Sequence, residues 1–316
     1  MDNSIHSVCK ICNQQLSGVD EFYAHLRTHK MPRSTYFTTY YPRFDLLTNE
    51  RIPFKNEEYY FSTYFLLKEN LSVWLRKQSV EDQIKFCKTA IQERKERKSL
   101  VYAPCQVEAR STMIPSVLYM ERLFNYYEFC AEIGLRNKFT KCNNIVPHKT
   151  YDEMRGTPLI FVDTREQRPL RFKLDTESKK LDYGDYAFVD EEWTQKCHIE
   201  RKSLTDFIST LSGGLERFTN EIKRAQDDDA RLVVLVEESL STCLAFNEHP
   251  DIPSNIRATP EFIFKNVRDL IQQFSCVQFL FVNGRTKAAE VIEKIFTYGV
   301  LHALYDLQCL YDKSLL

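Results

Sequence analysis

The stretch His198-Ile-Glu-Arg-Lys-Ser-Leu-Thr-Asp-Phe207, HIERKSLTDF, places an acid, two bases and a second acid within seven residues. It closes an alternating segment, YAFVDEEWTQKCHIERK (186–202), and opens a helix-like run, LTDFISTL (204–211). Side chains two apart on a strand share a face, so Glu200 and Lys202 point together while Arg201 points away. On an exposed surface such a pair is worth about 0–1 kcal/mol. At a strand end of an α/β domain it stands where ligands bind. Glu-x-Lys alone does not choose between an ordinary ion pair and half of an active site.

The neighbouring segments supply the frame. PLIFVDT (158–164) reads as a short buried strand, and YAFVD (186–190) and KCHIERK (196–202) as two more. RLVVLVEES (231–239) and VQFLFVNG (277–284) are continuous apolar runs of the kind buried on both faces of a parallel sheet. Between and after them lie helical patterns: LERFTNEIKRA (215–225), TPEFIFKNVRDLIQQF (259–274) and a long final helix over 286–308. Strands alternating with helices predict an α/β core with helices on both faces of the sheet.

Within that frame, Asp163 and Glu166 end one strand and Asp185, in Gly184-Asp185-Tyr186, precedes another. Several carboxylates converging with one lysine meet the needs of phosphodiester hydrolysis. Asp185 and Glu200 offer oxygen ligands to Mg²⁺ or Mn²⁺. Such an ion polarises a phosphate and activates water, and Lys202 orients the water or neutralises charge in the transition state.

Composition narrows the alternatives. The chain has 316 residues and a net charge near −1, which neither demands nor excludes nucleic acid. No phosphate-binding loop, dinucleotide fingerprint or serine elbow occurs, so no nucleotide cofactor is expected. The basic runs KTAIQERKERK (88–98) and GLRNKFTKCNN (134–144) are more often solvated than bound to phosphate. No signal peptide or membrane-length apolar run is present, and the ten cysteines are mostly scattered. A soluble protein of a reducing interior is expected, nuclear or cytoplasmic, cellular or viral.

Cys9-x2-Cys12-x12-His25-x3-His29 has the spacing of a tetrahedral Zn²⁺ site. Leu16 and Phe22 provide its small apolar core, and residues 1–30 resemble a C2H2 zinc finger. The positions that read bases in such fingers fall on Gly18, Glu21 and Ala24, which are poor base readers. Folding, partner docking or non-specific DNA contact is the expected role. Residues 31–55 read as a linker and 56–150 as a helical domain, leaving 151–316 for the α/β domain.

In order, VDTRE (162–166), GDY (184–186), IERKSLTDF (199–207) and LERFTNEIKRA (215–225) resemble the nuclease domain of the XPF family of structure-specific endonucleases. The likeness covers roughly residues 157–285 and implies a restriction-endonuclease-like core of the PD-(D/E)XK type, with a mixed or parallel sheet flanked by helices. It implies Asp185 and Glu200 as Mg²⁺ or Mn²⁺ ligands, Lys202 as catalytic lysine, and Asp163 and Glu166 as the rest of an acidic cluster. Arg165 and Arg201 would support that cluster or meet phosphate, Asp206 would hold Arg201 or a helix start, and Arg217 would face DNA or serve structure. The implied activity is metal-dependent DNA cleavage in repair, recombination or replication, on branched or flapped DNA. No helix-hairpin-helix pattern follows FVNG, so duplex binding is expected from the central helices, the finger, a second copy or a partner subunit. A non-catalytic scaffold that binds DNA or a partner is the alternative.

Overall fold

The apolar runs assemble as their patterns demand. In the computed structural model, described over residues 6–43, 51–62, 71, 74–142, 159–189, 196–249, 252, 256–297 and 301–316, they build one six-stranded sheet. The strands are β1 (Leu159–Asp163), β2 (Asp175–Lys179), β3 (Tyr186–Val189), β4 (Lys196–Lys202), β5 (Ala230–Val236) and β6 (Val277–Phe281). They lie in the order β2-β1-β3-β4-β5-β6. β3 runs antiparallel to both β1 and β4, whereas β1–β2, β4–β5 and β5–β6 pair in parallel. The sheet is therefore mixed, and helices flank it as expected.

Strand β2 had no apolar signal. Its residues, DTESK, are exposed throughout, and it joins the sheet as an edge through backbone pairing with β1, with the Lys179 ammonium 4.2 Å from the Phe161 ring centroid.

The chain divides into two compact units, one of residues 1–98 and 112–115, the other of 99–111 and 116–316. The first holds helices α1 (Val19–Thr28), α2 (Arg33–Tyr40), α3 (Glu57–Ser62) and α4 (Val80–Lys98). Ser79 caps α4 by accepting from the Asp82 amide at 3.1 Å, as the Ser-Val-Glu-Asp start predicts. Residues 33–40, expected within a linker, form a helix. Its Tyr36 and Phe37 are fully buried with Cys9, Phe22, Leu26, Ile52 and Tyr60 in one aromatic-rich core. The alternating polar and aromatic residues there hid the period, and burial against the finger supplies what periodicity lacked.

The second unit continues through α5 (Gln106–Arg110), α6 (Val117–Leu123), α7 (Tyr126–Glu132), α8 (Leu204–Thr210), α9 (Leu215–Asp227), α10 (Leu240–Leu244), α11 (Pro260–Gln273), α12 (Gly284–Thr297), α13 (Leu301–Leu304) and α14 (Leu307–Asp312). Residues 99–111 and 116–142, expected in a separate helical domain, pack with the sheet. Gln272 of α11 accepts from the amides of Val101 and Tyr102 at 2.9 and 3.0 Å. Asp306 accepts from the Gln106 amide at 2.6 Å. Lys138, within the basic run 134–144, points inward and donates to the carbonyls of Ile271 and Phe274 that end α11. That charge serves a helix C-terminus, not phosphate.

The final helix, expected unbroken over 286–308, is interrupted. Asp306 caps a new one, α14, accepting from Gln308 and Cys309 at 3.0 and 3.2 Å. Residues 298–300 of that run lie outside the described residues.

Alternation along β5 sorts the two faces. Leu232, Val234 and Val236 join a core with Phe207 of α8, Phe218 and Ile222 of α9, and Phe264 of α11. Phe207, Phe264 and Phe281 form an aromatic triad with centroids 5.4–5.9 Å apart. Burying each such side chain contributes roughly 1.5–3 kcal/mol.

Candidate active site

The sheet register brings the opening stretch to its acid partner. Tyr186 pairs with Ile199 and Ala187 with His198, so one step further sets Asp185 opposite Glu200. The Asp163 amide donates to the Asp185 carbonyl at 2.8 Å, extending the β1–β3 ladder, while the Asp185 amide donates to the Ile199 carbonyl at 2.8 Å, one residue out of the β3–β4 register. In the parallel pairing with β5, Glu200 and Lys202 lie beside Val234 and Val236, on the face covered by α8, α9 and α11. Arg201 lies beside Leu235, on the other face, as strand geometry requires.

Glu200 is buried, with 9% of its surface exposed, and Lys202 Nζ donates to its Oε1. Lys202 Nζ also stands 5.5 Å from the centroid of the Phe218 ring, which limits where the ammonium can go. Asp185 Oδ2 accepts the backbone N–H of Arg201 at 2.7 Å. Burial raises the Asp185 carboxyl to about 6. Burial and the facing Asp185 raise Glu200 to about 7, against the opposing pull of Lys202. Two carboxylates that resist ionising side by side, with one lysine to balance them, form a pocket short of positive charge.

The remaining acids of the expected cluster are divided. Asp163, 3% exposed, has its carboxylate filled: Oδ1 accepts from the Arg165 amide and Nε at 2.7 Å each, and Oδ2 from the Leu181 amide at 2.7 Å. Burial opposes its ionisation, but these bonds prevail and its pKa is lowered. Glu166 accepts from Arg201 at 2.9 Å and from the Arg168 amide at 2.7 Å. Arg201 also reaches Glu237 at 3.0 Å. Thus Asp163 and Glu166 brace the surrounding turn and the far face of β4, although Glu166 remains within electrostatic reach of Asp185.

Asp206 bonds Ser203, which caps α8, with Ser203 Oγ donating to its Oδ2 at 2.6 Å. It therefore serves the helix start, one of its two expected roles. Arg217 is exposed in the first turn of α9, and Arg165 turns 64% of its side chain to solvent.

Sequence reasoning missed Glu221 and Glu237. Glu221 Oε1 accepts the Gly184 amide at 3.1 Å, and Glu237 joins the Arg201 network together with Arg285 at 3.6 Å. Glu221 sits one helical turn after Arg217 in the run already singled out, which was the available signal.

Gly184 has φ +70°, and a Cβ there would lie 3.0 Å from the Ile199 carbonyl. Gly184→Ala is expected to destabilise the protein by about 1–3 kcal/mol, measured by thermal or denaturant unfolding, because left-handed strain and a backbone clash add. Unchanged stability would show that the turn relaxes freely.

In the other unit, the four ligand atoms of Cys9, Cys12, His25 and His29 lie within 4.8 Å of one another. Val8 and Gln15 form a small antiparallel bridge across the cysteine turn, α1 carries His25, and His29 caps its end. The arrangement is compatible with a Cys2His2 zinc finger. No helix among the described residues is long and apolar enough to cross a membrane.

Comparisons with known proteins fit this geometry. The ERCC4 domain model matches residues 162–295, somewhat under half of the chain. A search of curated proteins by sequence finds no match. Among solved structures, the chain is similar to XPF from Aeropyrum pernix in complex with DNA, at 22% identity and a TM-score of 0.34, over 46% of this chain and 64% of that one. It is also similar to a second structure of XPF from Aeropyrum pernix, at 20% identity and a TM-score of 0.33, over 49% of this chain and 68% of that one. The chain thus spans less than two thirds of the DNA-bound relative. The motif order and the mixed sheet agree with the ERCC4 match, and over residues 162–295 the chain is similar to that domain.

Proposed function

We propose that the protein is a divalent-metal-dependent endodeoxyribonuclease, hydrolysing phosphodiester bonds in branched or flapped DNA during repair, recombination or replication. The observation that carries this reading is the meeting of Asp185, Glu200 and Lys202 on adjacent strand ends inside an ERCC4 domain. The donor set suits a hard cation: it is all oxygen, and Lys202 alone does not offset its acidity. Asp185 and Glu200 would hold Mg²⁺ or Mn²⁺, and when bound the ion supplies Lewis-acid polarisation of phosphate and an acidified water.

The chain's own residues set the conditions for that chemistry. The Arg201 amide orients Asp185, and Phe218 with Glu200 confines the Lys202 ammonium. From there Lys202 orients water or neutralises charge on the reacting phosphate. Arg217, exposed, and the solvent-facing edge of Arg165, whose Nε and Nη2 are held by Asp163 and Leu181, would meet backbone phosphate, which positions DNA without reading sequence. Cys9, Cys12, His25 and His29 would hold Zn²⁺ as a structural ion. A homodimer or partner subunit remains part of the reading for duplex binding.

The test is incubation with Mg²⁺ or Mn²⁺ and flap, fork, splayed-arm, plain duplex and single-stranded DNA. Cutting at junctions is expected. No cutting returns the scaffold reading, and cutting at fixed sequences in linear duplex points to restriction-type recognition. The same assay should show activity rising with pH between about 6 and 7, as protons leave Asp185 and Glu200 and cease to compete with the cation. The metal-free fold has the opposite sign. Glu200's folded pKa of about 7 lies above its ordinary 4.5, so the folded state binds more protons and loses stability as pH rises from about 4.5 through 7.

A further inference from the structure

Gly184 is buried and pressed against β4, with its Cα too close to Ile199 and His198 for a side chain. Its peptide cannot turn outward to find water. Its N–H instead donates to Glu221 Oε1, at 3.1 Å, from a different element of the fold. Glu221 is itself fixed in place, because its helix α9 buries Phe218 and Ile222 on either side of it.

The next residue is Asp185. Its N–H is held by Ile199, its carbonyl by Asp163, and its Oδ2 by the Arg201 amide. Every one of these restraints lies on the strand side of Asp185. One peptide earlier, the Gly184 N–H is held by the Glu221 carboxylate. Glu221 also lies within electrostatic reach of Glu200 and of Arg165, so its charge falls on the same acidic side of the site.

We propose that Glu221 is a positioning residue of this site, accepting the Gly184 N–H so as to fix the turn that presents Asp185. The proposal rests on the nuclease reading of Asp185 and Glu200. It assigns α9 a task beyond packing: the helix that confines Lys202 through Phe218 also sets the aspartate across from it. A hydrogen bond that aims a ligand is worth about 10–100-fold in metal affinity or activity.

Two full-length variants separate the parts of this role. Glu221→Ala removes the acceptor and the charge, whereas Glu221→Gln keeps a carbonyl acceptor and removes only the charge. Amide hydrogen exchange at Gly184 and Asp185, Mn²⁺ affinity by titration, and single-turnover cleavage of a flap substrate are read for each. In Glu221→Ala, exchange at Gly184 should accelerate and Mn²⁺ affinity fall about tenfold or more. Cleavage should slow while KM for DNA stays put. Glu221→Gln should rescue all three to within about threefold of wild type.

Wild-type exchange and Mn²⁺ affinity in Glu221→Ala overturn the proposal. So does a Glu221→Gln variant as impaired as Glu221→Ala, which would mean that charge, not the held amide, matters. A wild-type protein that neither binds Mn²⁺ nor cuts DNA overturns the nuclease reading instead. In that case exchange at Gly184 still decides whether Glu221 holds the turn.

Discussion

Asp185→Asn is expected to abolish metal-dependent cleavage, lowering the single-turnover rate by about 10³-fold or more, with the fold retained. At about 1.4 kcal/mol per tenfold, that loss is about 4 kcal/mol of transition-state stabilisation. Asparagine keeps the oxygen that accepts the Arg201 amide, so the turn has no reason to collapse. What disappears is one of the two charges that make the pocket a cation site. Lys202→Ala should cost as much for a different reason: it leaves Glu200 buried without its partner and the phosphate without a cationic neighbour. Circular dichroism and melting temperature serve as controls. Cleavage by either variant at near wild-type rate would refute the assignment.

Removal of zinc is expected to have the largest effect on folding. A structural Zn²⁺ site contributes on the order of 10–16 kcal/mol in isolated fingers, comparable to the whole margin of about 5–15 kcal/mol of a typical domain. Read from sequence alone, Cys12→Ala would unfold residues 1–30. The tertiary structure enlarges that expectation. Phe22 and Leu26 of α1 share their core with Tyr36, Phe37, Ile52 and Tyr60, and the Lys10 amide beside the cysteine turn donates to Tyr36 at 2.9 Å. Chelation or Cys12→Ala should therefore loosen α2 and the residues near 52–62 together with the finger. Amide exchange with and without zinc would measure it. Protection of residues 33–40 that ignores zinc would confine the finger to its own small core.

The finger's core also bears on what it does. A finger that reads DNA stands free enough to enter a groove, whereas this one turns Phe22 and Leu26 into a shared interior. With Gly18, Glu21 and Ala24 on its reading positions, a folding role is the simpler account.

Much was legible in the sequence because its signals are local. Period-two alternation placed β3 and β4, continuous apolar runs placed β5 and β6, and the spacing of Cys9, Cys12, His25 and His29 announced a ligand set that the fold brings together. Glu200 and Lys202 had to share a face, since strand geometry leaves no other choice. Edge strand β2 was invisible because backbone pairing leaves no trace in side-chain polarity. The break before α14 was missed because a lone Asp306 inside an apolar run looks like an exposed helix residue until its carboxylate is seen capping.

What the sequence determined by itself was the sheet's apolar frame, the finger's ligands and the presence of acids at strand ends. Only tertiary structure decided how those acids divide. Which carboxylate is filled by an arginine, as Asp163 and Glu166 are, and which stays short of positive charge, as Asp185 and Glu200 do, depends on neighbours far apart in the chain. The same holds for Glu221, whose one hydrogen bond crosses from α9 to the turn before β3. Burial and hydrogen bonding set the proton and cation affinity of a carboxylate, and both arise only when distant segments pack.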